Sequence, residues 1–369
     1  MILLVLAFFL AACSDRSVAD VELILVTAVS TPPTLPLPTA SPTASRTASR
    51  TTSPALTPTS FPTLAPTVAA ASTPLPTAMP NPYDAFTIDA LTARDYGGGR
   101  LEIEDTLEKN ETFTRYLISY PSDDLTIAGY MNAPHEGDDF PVVIMLHGYI
   151  PPDEYETIAY TRRYADDLAK AGFFVIHPNL RNYPPSDSGS NEFRVGMAVD
   201  VLNLIAIIRE QSQDPLGVLR RADADAIHLW GHSMGGGVAL RVMVVENADY
   251  LKTAVLYAAM SGDEQQNYQQ IRQWTNGRGG AFELAASSAE LAAISPSNYL
   301  HRLDAAISIH HSRTDDVVPF AWSEDLCQRL QARSHPVDCF TYDDQPHTFR
   351  GLGDLQFMER VRLFFQTHS

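Results

Sequence analysis

Residues 226–245 read AIHLWGHSMGGGVALRVMVV, and this stretch constrains the fold more than any other. A short apolar run, 226–230, has the length of a buried strand, and 238–245 has the composition of a buried helix. Only the cluster 231–237 separates them, with Gly231 and Gly235 on either side of Ser233 and two more glycines behind. A strand that becomes a helix this abruptly needs a turn with no room for side chains beside its apex, and glycine removes them. The turn therefore predicts a strand-to-helix unit with Ser233 held up at a strained apex.

The flanking chain supplies the rest of such an architecture. From about residue 112, strand-like and helix-like segments alternate. FTRYLISYP and LTIAGYMNAP form a candidate antiparallel pair around Ser122, Asp123 and Asp124; PVVIML, FFVIHP, TAVLYAA, AAISIHH and VDCFTYDD are further candidate strands. YTRRYADDLAKAG, FRVGMAVDVLNLIAIIRE, PFAWSEDLCQRLQA and GDLQFMERVRLFFQTH carry helical spacing. Alternation of this kind predicts an α/β fold, a mostly parallel central sheet with helices on both faces. Residues 261–300 interrupt the alternation and form a candidate small cap over the carboxyl edge of the sheet. Residues 83–111 show no pattern that assigns them to an element.

The amino-terminal part is of another kind. Half of the 26 prolines lie between Pro32 and Pro82, and no glycine precedes Gly97. Residues 14–82 therefore read as a disordered Pro/Thr/Ser-rich stalk, too poor in apolar surface to offset chain entropy. The first residues, MILLVLAFFLAAC, form an apolar run too short to span a bilayer comfortably. Leu10, Ala11, Ala12 and Cys13 resemble the lipobox of bacterial lipoproteins, although no Lys or Arg precedes the run. That resemblance implies a signal over 1–13, lipidation at Cys13 and a place in the cell envelope, on the outer side of the cytoplasmic membrane. An ordinary signal peptide or an uncleaved anchor is the alternative, and each exports the domain at 83–369. The formal net charge is −18; Asp15, Arg16, Asp20 and Glu22 together cancel Arg46 and Arg50, so all of it falls on 83–369. An acidic domain argues against nucleic acid or an anionic membrane surface as ligand, leaving the anchor as the membrane contact. Cys327, in a candidate helix, and Cys339, in the next strand, are either bridged or two free thiols.

Three motifs align in order. Gly231-His232-Ser233-Met234-Gly235 fits G-x-S-x-G, Asp315 follows a strand in IHHSRTDDVVP, and His347 follows the last strand in YDDQPHTF. Residues 112–367 resemble an α/β-hydrolase, and more narrowly the catalytic domain of the prolyl oligopeptidase family and its small esterase-like relatives. VVIMLHGY, GHSMGG, ISPSNYL and IHHSRTDDVVPF carry the resemblance, with Ser312 standing where that family has glycine. A serine hydroxyl needs a base, the base a carboxylate, and the attacked carbonyl a pair of N–H donors. The resemblance gives these roles to His347, to Asp315 and to the amides of Met234 and Tyr149. Asp316, Asp343 and Asp344 read instead as loop charges or turn caps, and His147, His228, His232, His310 and His311 as structural. Tyr149, Tyr155, Tyr160 and Tyr164 fit either a pocket lining or ordinary packing.

No zinc spacing, phosphate loop or dinucleotide fingerprint is present, so neither metal nor cofactor is expected. The resemblance implies a serine hydrolase acting on carboxylic esters or short peptides. The peptidases of that family carry a large propeller for which 83–111 is too short, which favours esters over a dipeptidyl or acylaminoacyl exopeptidase. A binding protein that keeps the fold without the chemistry is the alternative from another class.

Overall fold

The computed structural model describes residues 81–369. Cys13 and the signal, and all but the last two residues of the 14–82 segment, lie outside them.

After a short helix α1 (Ile88–Thr92) come β1 (Glu102–Lys109), β2 (Phe113–Ser122), β3 (Leu125–Pro134) and β4 (Phe140–Leu146). Then follow α2 (Arg162–Lys170), β5 (Phe174–Pro178), α3 (Val195–Gln211), β6 (Ala222–His232) and α4 (Met234–Val245). β7 (Leu251–Tyr257) leads into α5 (Glu264–Trp274) and α6 (Ser288–Ile294). β8 (Ala306–Ser312), α7 (Phe320–Ala332), β9 (Val337–Tyr342) and α8 (Gly351–Thr367) complete the domain.

The nine strands form one sheet in the order β1-β2-β3-β5-β4-β6-β7-β8-β9. β1, β2, β3 and β5 pair antiparallel in turn, and every pair from β5 through β4 to β9 is parallel. Ser122 pairs with Leu125, so Asp123 and Asp124 alone close the β2–β3 hairpin, with Asp123 at φ 54°. Aspartate tolerates that left-handed backbone better than most residues.

The parallel strands read as continuous apolar runs because both of their faces are covered. Along β4, Val142, Ile144 and Leu146 enter a core shared with α3 and α4, whereas Val143 and Met145 enter a second core shared with α2 and α8. β7 divides in the same way, Ala254 and Leu256 to one side, Val255 and Tyr257 to the other. This double burial fixes the register of β6, and therefore where the turn after it emerges.

The strand missing from the sequence reading is β1. Its side chains are exposed almost throughout, and two register irregularities interrupt its pairing with β2. An edge strand with acidic residues on both faces buries nothing, so it leaves no alternating apolar pattern.

Residues 261–300, the candidate cap, carry α5 and α6, which pack on each other, with α6 also against α1. Glu264 opens α5 and is 2% exposed. Its carboxylate accepts from Arg241 of α4 at 2.5 Å and from Arg194, which precedes α3. Arg241 and Arg194 are themselves 1% and 7% exposed. Residues 81–89 clamp this segment and the turn just after it. The Tyr83 hydroxyl donates to the Phe282 carbonyl at 3.0 Å, Asn81 bonds Glu290, and Arg302 pairs with Asp89. Rings of Tyr83, Phe86, Phe193, Phe282 and Tyr268 pack together between them. Cys327 of α7 and Cys339 of β9 are joined as a disulfide.

Candidate active site

The turn between β6 and α4 is as tight as its glycines require. A Cβ on Gly231 would stand 2.4 Å from the Gly235 carbonyl oxygen, and one on Gly235 would stand 2.3 Å from that of Leu146. Real Cβ atoms do not approach backbone this closely, so side chains are barred on both sides of the apex. Ser233 sits there at φ 54°, ψ −116°, a strained backbone for any residue with a side chain. Its own peptide groups hold it. The Ser233 amide donates to the Tyr257 carbonyl at 2.9 Å, and its carbonyl accepts from Gly236, Gly237 and Met260 at 3.1, 3.3 and 3.0 Å. The hydroxyl makes no hydrogen bond among the described residues, and Ser233 is 8% exposed.

Asp315 lies in the loop after β8 and His347 in the loop after β9, at the same carboxyl edge of the sheet as Ser233. The structure brings these two together: His347 Nδ1 donates to Asp315 Oδ2 at 2.7 Å, and its Nε2 has no hydrogen-bond partner among the described residues. Asp315 Oδ1 accepts from the Val317 and Val318 amides at 2.9 and 3.0 Å. A second imidazole, His311 Nε2, reaches Oδ2 at 3.0 Å, while its Nδ1 meets Ser323 Oγ at 2.7 Å. Burial works against the Asp315 charge, but the bonds from His311 and His347, joined by those from the loop amides, outweigh it. The carboxyl is held well below the ordinary carboxylate range, as several donors to one anion require.

Ser312, where the resemblance expects glycine, has a role of its own. Its Oγ accepts from the Gln345 amide at 3.1 Å, and Thr314 Oγ1 donates to the Gln345 carbonyl at 3.1 Å. The loop of Asp315 is thereby laced to the loop of His347. The neighbouring charges stay outside: Asp343 is exposed and pairs with Arg313, and Asp316 is exposed as well.

Two amides are available to an oxyanion. Met234 N, at the start of α4, and Tyr149 N, in the loop after β4, donate to no protein group among the described residues. The loop carrying Tyr149 is shaped by His147, whose ring nitrogens lie 2.7 Å from the Gly148 carbonyl and 2.6 Å from that of Asn179. The Tyr149 side chain is 67% exposed at the rim.

The remaining histidines divide by their partners. His228 bonds Thr253 and Ser369, and His310 bonds Ser308 and Tyr342; burial holds each down to about 3. These two are packing residues. His311 is the one whose role sequence reasoning missed. The available signal was its spacing, four residues before Asp315 at the end of a buried strand. His232 packs its ring 4.6 Å from that of His347.

The model of the alpha/beta hydrolase fold matches residues 141–282, and that of the prolyl oligopeptidase family matches residues 216–369. Among solved structures, acetyl xylan esterase 1 from a Thermoanaerobacterium species superposes with a TM-score of 0.56 at 18% identity, covering 76% of this chain and 94% of that one. An acetyl xylan esterase from a Paenibacillus species gives 0.53 at 16% identity over 78% of this chain and 93% of that one. The acylaminoacyl peptidase of Pyrococcus horikoshii gives 0.53 at 19% identity over 70% of this chain, and only 42% of the peptidase is spanned. At these identities the likeness is one of fold. No protein of curated function matches the sequence.

Proposed function

The chain is an α/β-hydrolase of the prolyl oligopeptidase family and a serine hydrolase, and from that premise we propose that it cleaves carboxylic esters through an acyl-enzyme on Ser233. In this reading His347 Nε2 takes the Ser233 proton as Oγ attacks the ester carbonyl, and Asp315 holds the other ring nitrogen and stabilises the imidazolium. The carbonyl oxygen becomes an oxyanion between the Met234 and Tyr149 amides. Collapse returns the proton to the departing alkoxide, and the alcohol leaves. Water then repeats the sequence on the acyl-enzyme, releasing the acid and restoring Ser233.

The observation that carries the proposal is the Asp315–His347 pair beside a serine whose strained elbow presents a hydroxyl unpaired among the described residues. The ester reading rests on the esterase neighbour being spanned over 94% of its length, so that such a domain makes up nearly all of that esterase. Peptidase action is the second reading, favoured by the family match over 216–369.

A fluorophosphonate probe and p-nitrophenyl esters of graded acyl length test the chemistry, beside Ser233→Ala and His347→Ala. Loss of labelling and turnover in the Ser233 variant is expected. A well-folded wild type that does not label would leave the fold as a binding scaffold. Faster release of naphthylamine from aminoacyl-naphthylamides than of acid from short-chain esters would replace esterase by peptidase. The proposal extends to place: an exported enzyme tethered by a lipid on Cys13. Cys13→Ala should release the protein from membranes on fractionation, and continued membrane association would remove the lipid tether.

A further inference from the structure

We propose that Tyr160 and His232 form a positioning relay that holds the oxyanion loop, the serine elbow and the His347 loop in one register. The proposal rests on the serine hydrolase reading of Ser233 and His347.

Donor and acceptor types fix where each proton of the relay sits. The Gly148 amide donates to the Tyr160 hydroxyl oxygen at 3.1 Å. An amide N–H can only donate, so the phenol oxygen accepts there and has its single proton free for another partner. That partner is His232 Nδ1, with which the hydroxyl is hydrogen-bonded. On the other side of the ring, His232 Nε2 faces the His347 carbonyl oxygen at 3.1 Å. A carbonyl can only accept, so Nε2 carries the proton and Nδ1 is bare, as the Tyr160 hydroxyl requires. The directions run without conflict from Gly148 N–H through Tyr160 O–H to His232 Nδ1, and from His232 Nε2–H to the His347 carbonyl. Burial, and secondarily the nearby His347, hold His232 down to about 3, so the ring is neutral with one proton to place.

Each end of the relay lies one bond or one residue from a reacting group. Gly148 precedes Tyr149, whose amide is an assigned oxyanion donor. His232 precedes Ser233. The His347 carbonyl belongs to the base itself. Slack is absent at the junction: a Cβ on Gly148 would lie 3.1 Å from His232 Nδ1, from Ser233 Cβ and from the Tyr160 hydroxyl oxygen. Both ring nitrogens of His232 are engaged, so neither side chain has a proton to exchange with substrate. They act on the reaction through the backbone they hold.

Tyr160→Phe removes the hydroxyl and keeps the ring. In the purified full-length chain, kcat on p-nitrophenyl acetate should fall about 10- to 100-fold, since displacements of an ångström or less at reacting groups cost this much. KM should stay within about two-fold, because the relay touches no substrate. The rate constant for fluorophosphonate labelling should fall with kcat while the fraction of sites that finally label is unchanged. His232→Phe should behave alike, and the double variant should lose no more than the worse single one. Nitrogen NMR of histidine-labelled protein should show His232 neutral with its proton on Nε2.

Wild-type kcat and labelling rate in Tyr160→Phe would overturn the relay. So would a loss of activity that merely tracks a smaller fraction of labelled sites, or a His232 proton found on Nδ1. Those results are separate from failure of the underlying reading. A wild type that does not label, or a Ser233→Ala variant that keeps its turnover, refutes the serine mechanism and the relay's purpose with it.

Discussion

Glu264 is a polar residue in a polar stretch of sequence, yet it is 2% exposed and holds two buried guanidinium groups. Glu264→Gln preserves shape and removes the charge. The remaining amide oxygen can serve one arginine, and the amide N–H groups must then point toward the other. Breaking a buried ion pair by removing one partner costs about 3–5 kcal/mol, because the surviving charge stays desolvated. Here two surviving charges share that fate, although Arg241 keeps the Ile294 carbonyl at 2.9 Å and the Phe193 carbonyl at 3.3 Å. The described residues, roughly 290, unfold with an entropy of about 0.6 kcal/mol/K. The expected fall in Tm is therefore about 5–8 °C by scanning calorimetry. A companion variant replacing Arg194, Arg241 and Glu264 together by Met, Met and Leu should recover most of the loss, since apolar replacement of a buried triad is often neutral or stabilising. A Glu264→Gln protein that melts within about 1 °C of wild type would show that these charges do not hold α5 to α4.

Other outcomes follow from the site and its frame. Asp315→Asn should lower kcat about 10³- to 10⁴-fold, because an amide cannot hold the His347 tautomer that a carboxylate holds; a loss under about ten-fold would deny Asp315 its role. The same carboxyl has a native value depressed below its unfolded one, so its stabilisation is complete above the unfolded range near pH 4 and drains away as pH falls further. Urea midpoints of Asp315→Asn should consequently depend less on pH between about 5 and 2 than those of wild type, and parallel curves would contradict the assignment. Gly235→Ala, whose new methyl would meet the Leu146 carbonyl at 2.3 Å, should abolish fluorophosphonate labelling or folding; a labelled, stable variant would mean the elbow has slack. Replacing Cys327 and Cys339 by Ser opens a link across 12 positions and should cost about 3 kcal/mol in the loop-entropy account, read from chemical denaturation.

What could be read from the chain and what could not differ in kind. The elbow was legible because its demand is local: strand, glycines, serine and helix are consecutive, and steric exclusion at Gly231 and Gly235 has few other uses. The alternation of buried strands and helices was legible because both faces of the sheet are covered. β1 was not, since a bulged edge strand carries its acidic residues into water. The anchoring of 261–300 was not, because Glu264 finds its partners at Arg241 and Arg194, 23 and 70 positions away. The link between Tyr160 and His232 was not legible for a related reason: each is ordinary in its own segment, and their connection exists only where three loops meet. His311 carried a trace in its spacing to Asp315, but a histidine in a buried strand commonly satisfies itself, as His310 does with Ser308 and Tyr342.

The contacts at Gly148, Gly231 and Gly235 also bear on how such a protein can change. What matters most at the reacting serine is the absence of three side chains, and the critical distances run between backbone atoms and a few buried hydroxyl and imidazole groups. Positions facing outward from this frame, such as the exposed Tyr149 ring, enter none of those distances. A library meant to alter selectivity should therefore leave the glycines untouched and spend its diversity on the rim. Variants there can fail to bind a substrate without disassembling the centre that would act on it.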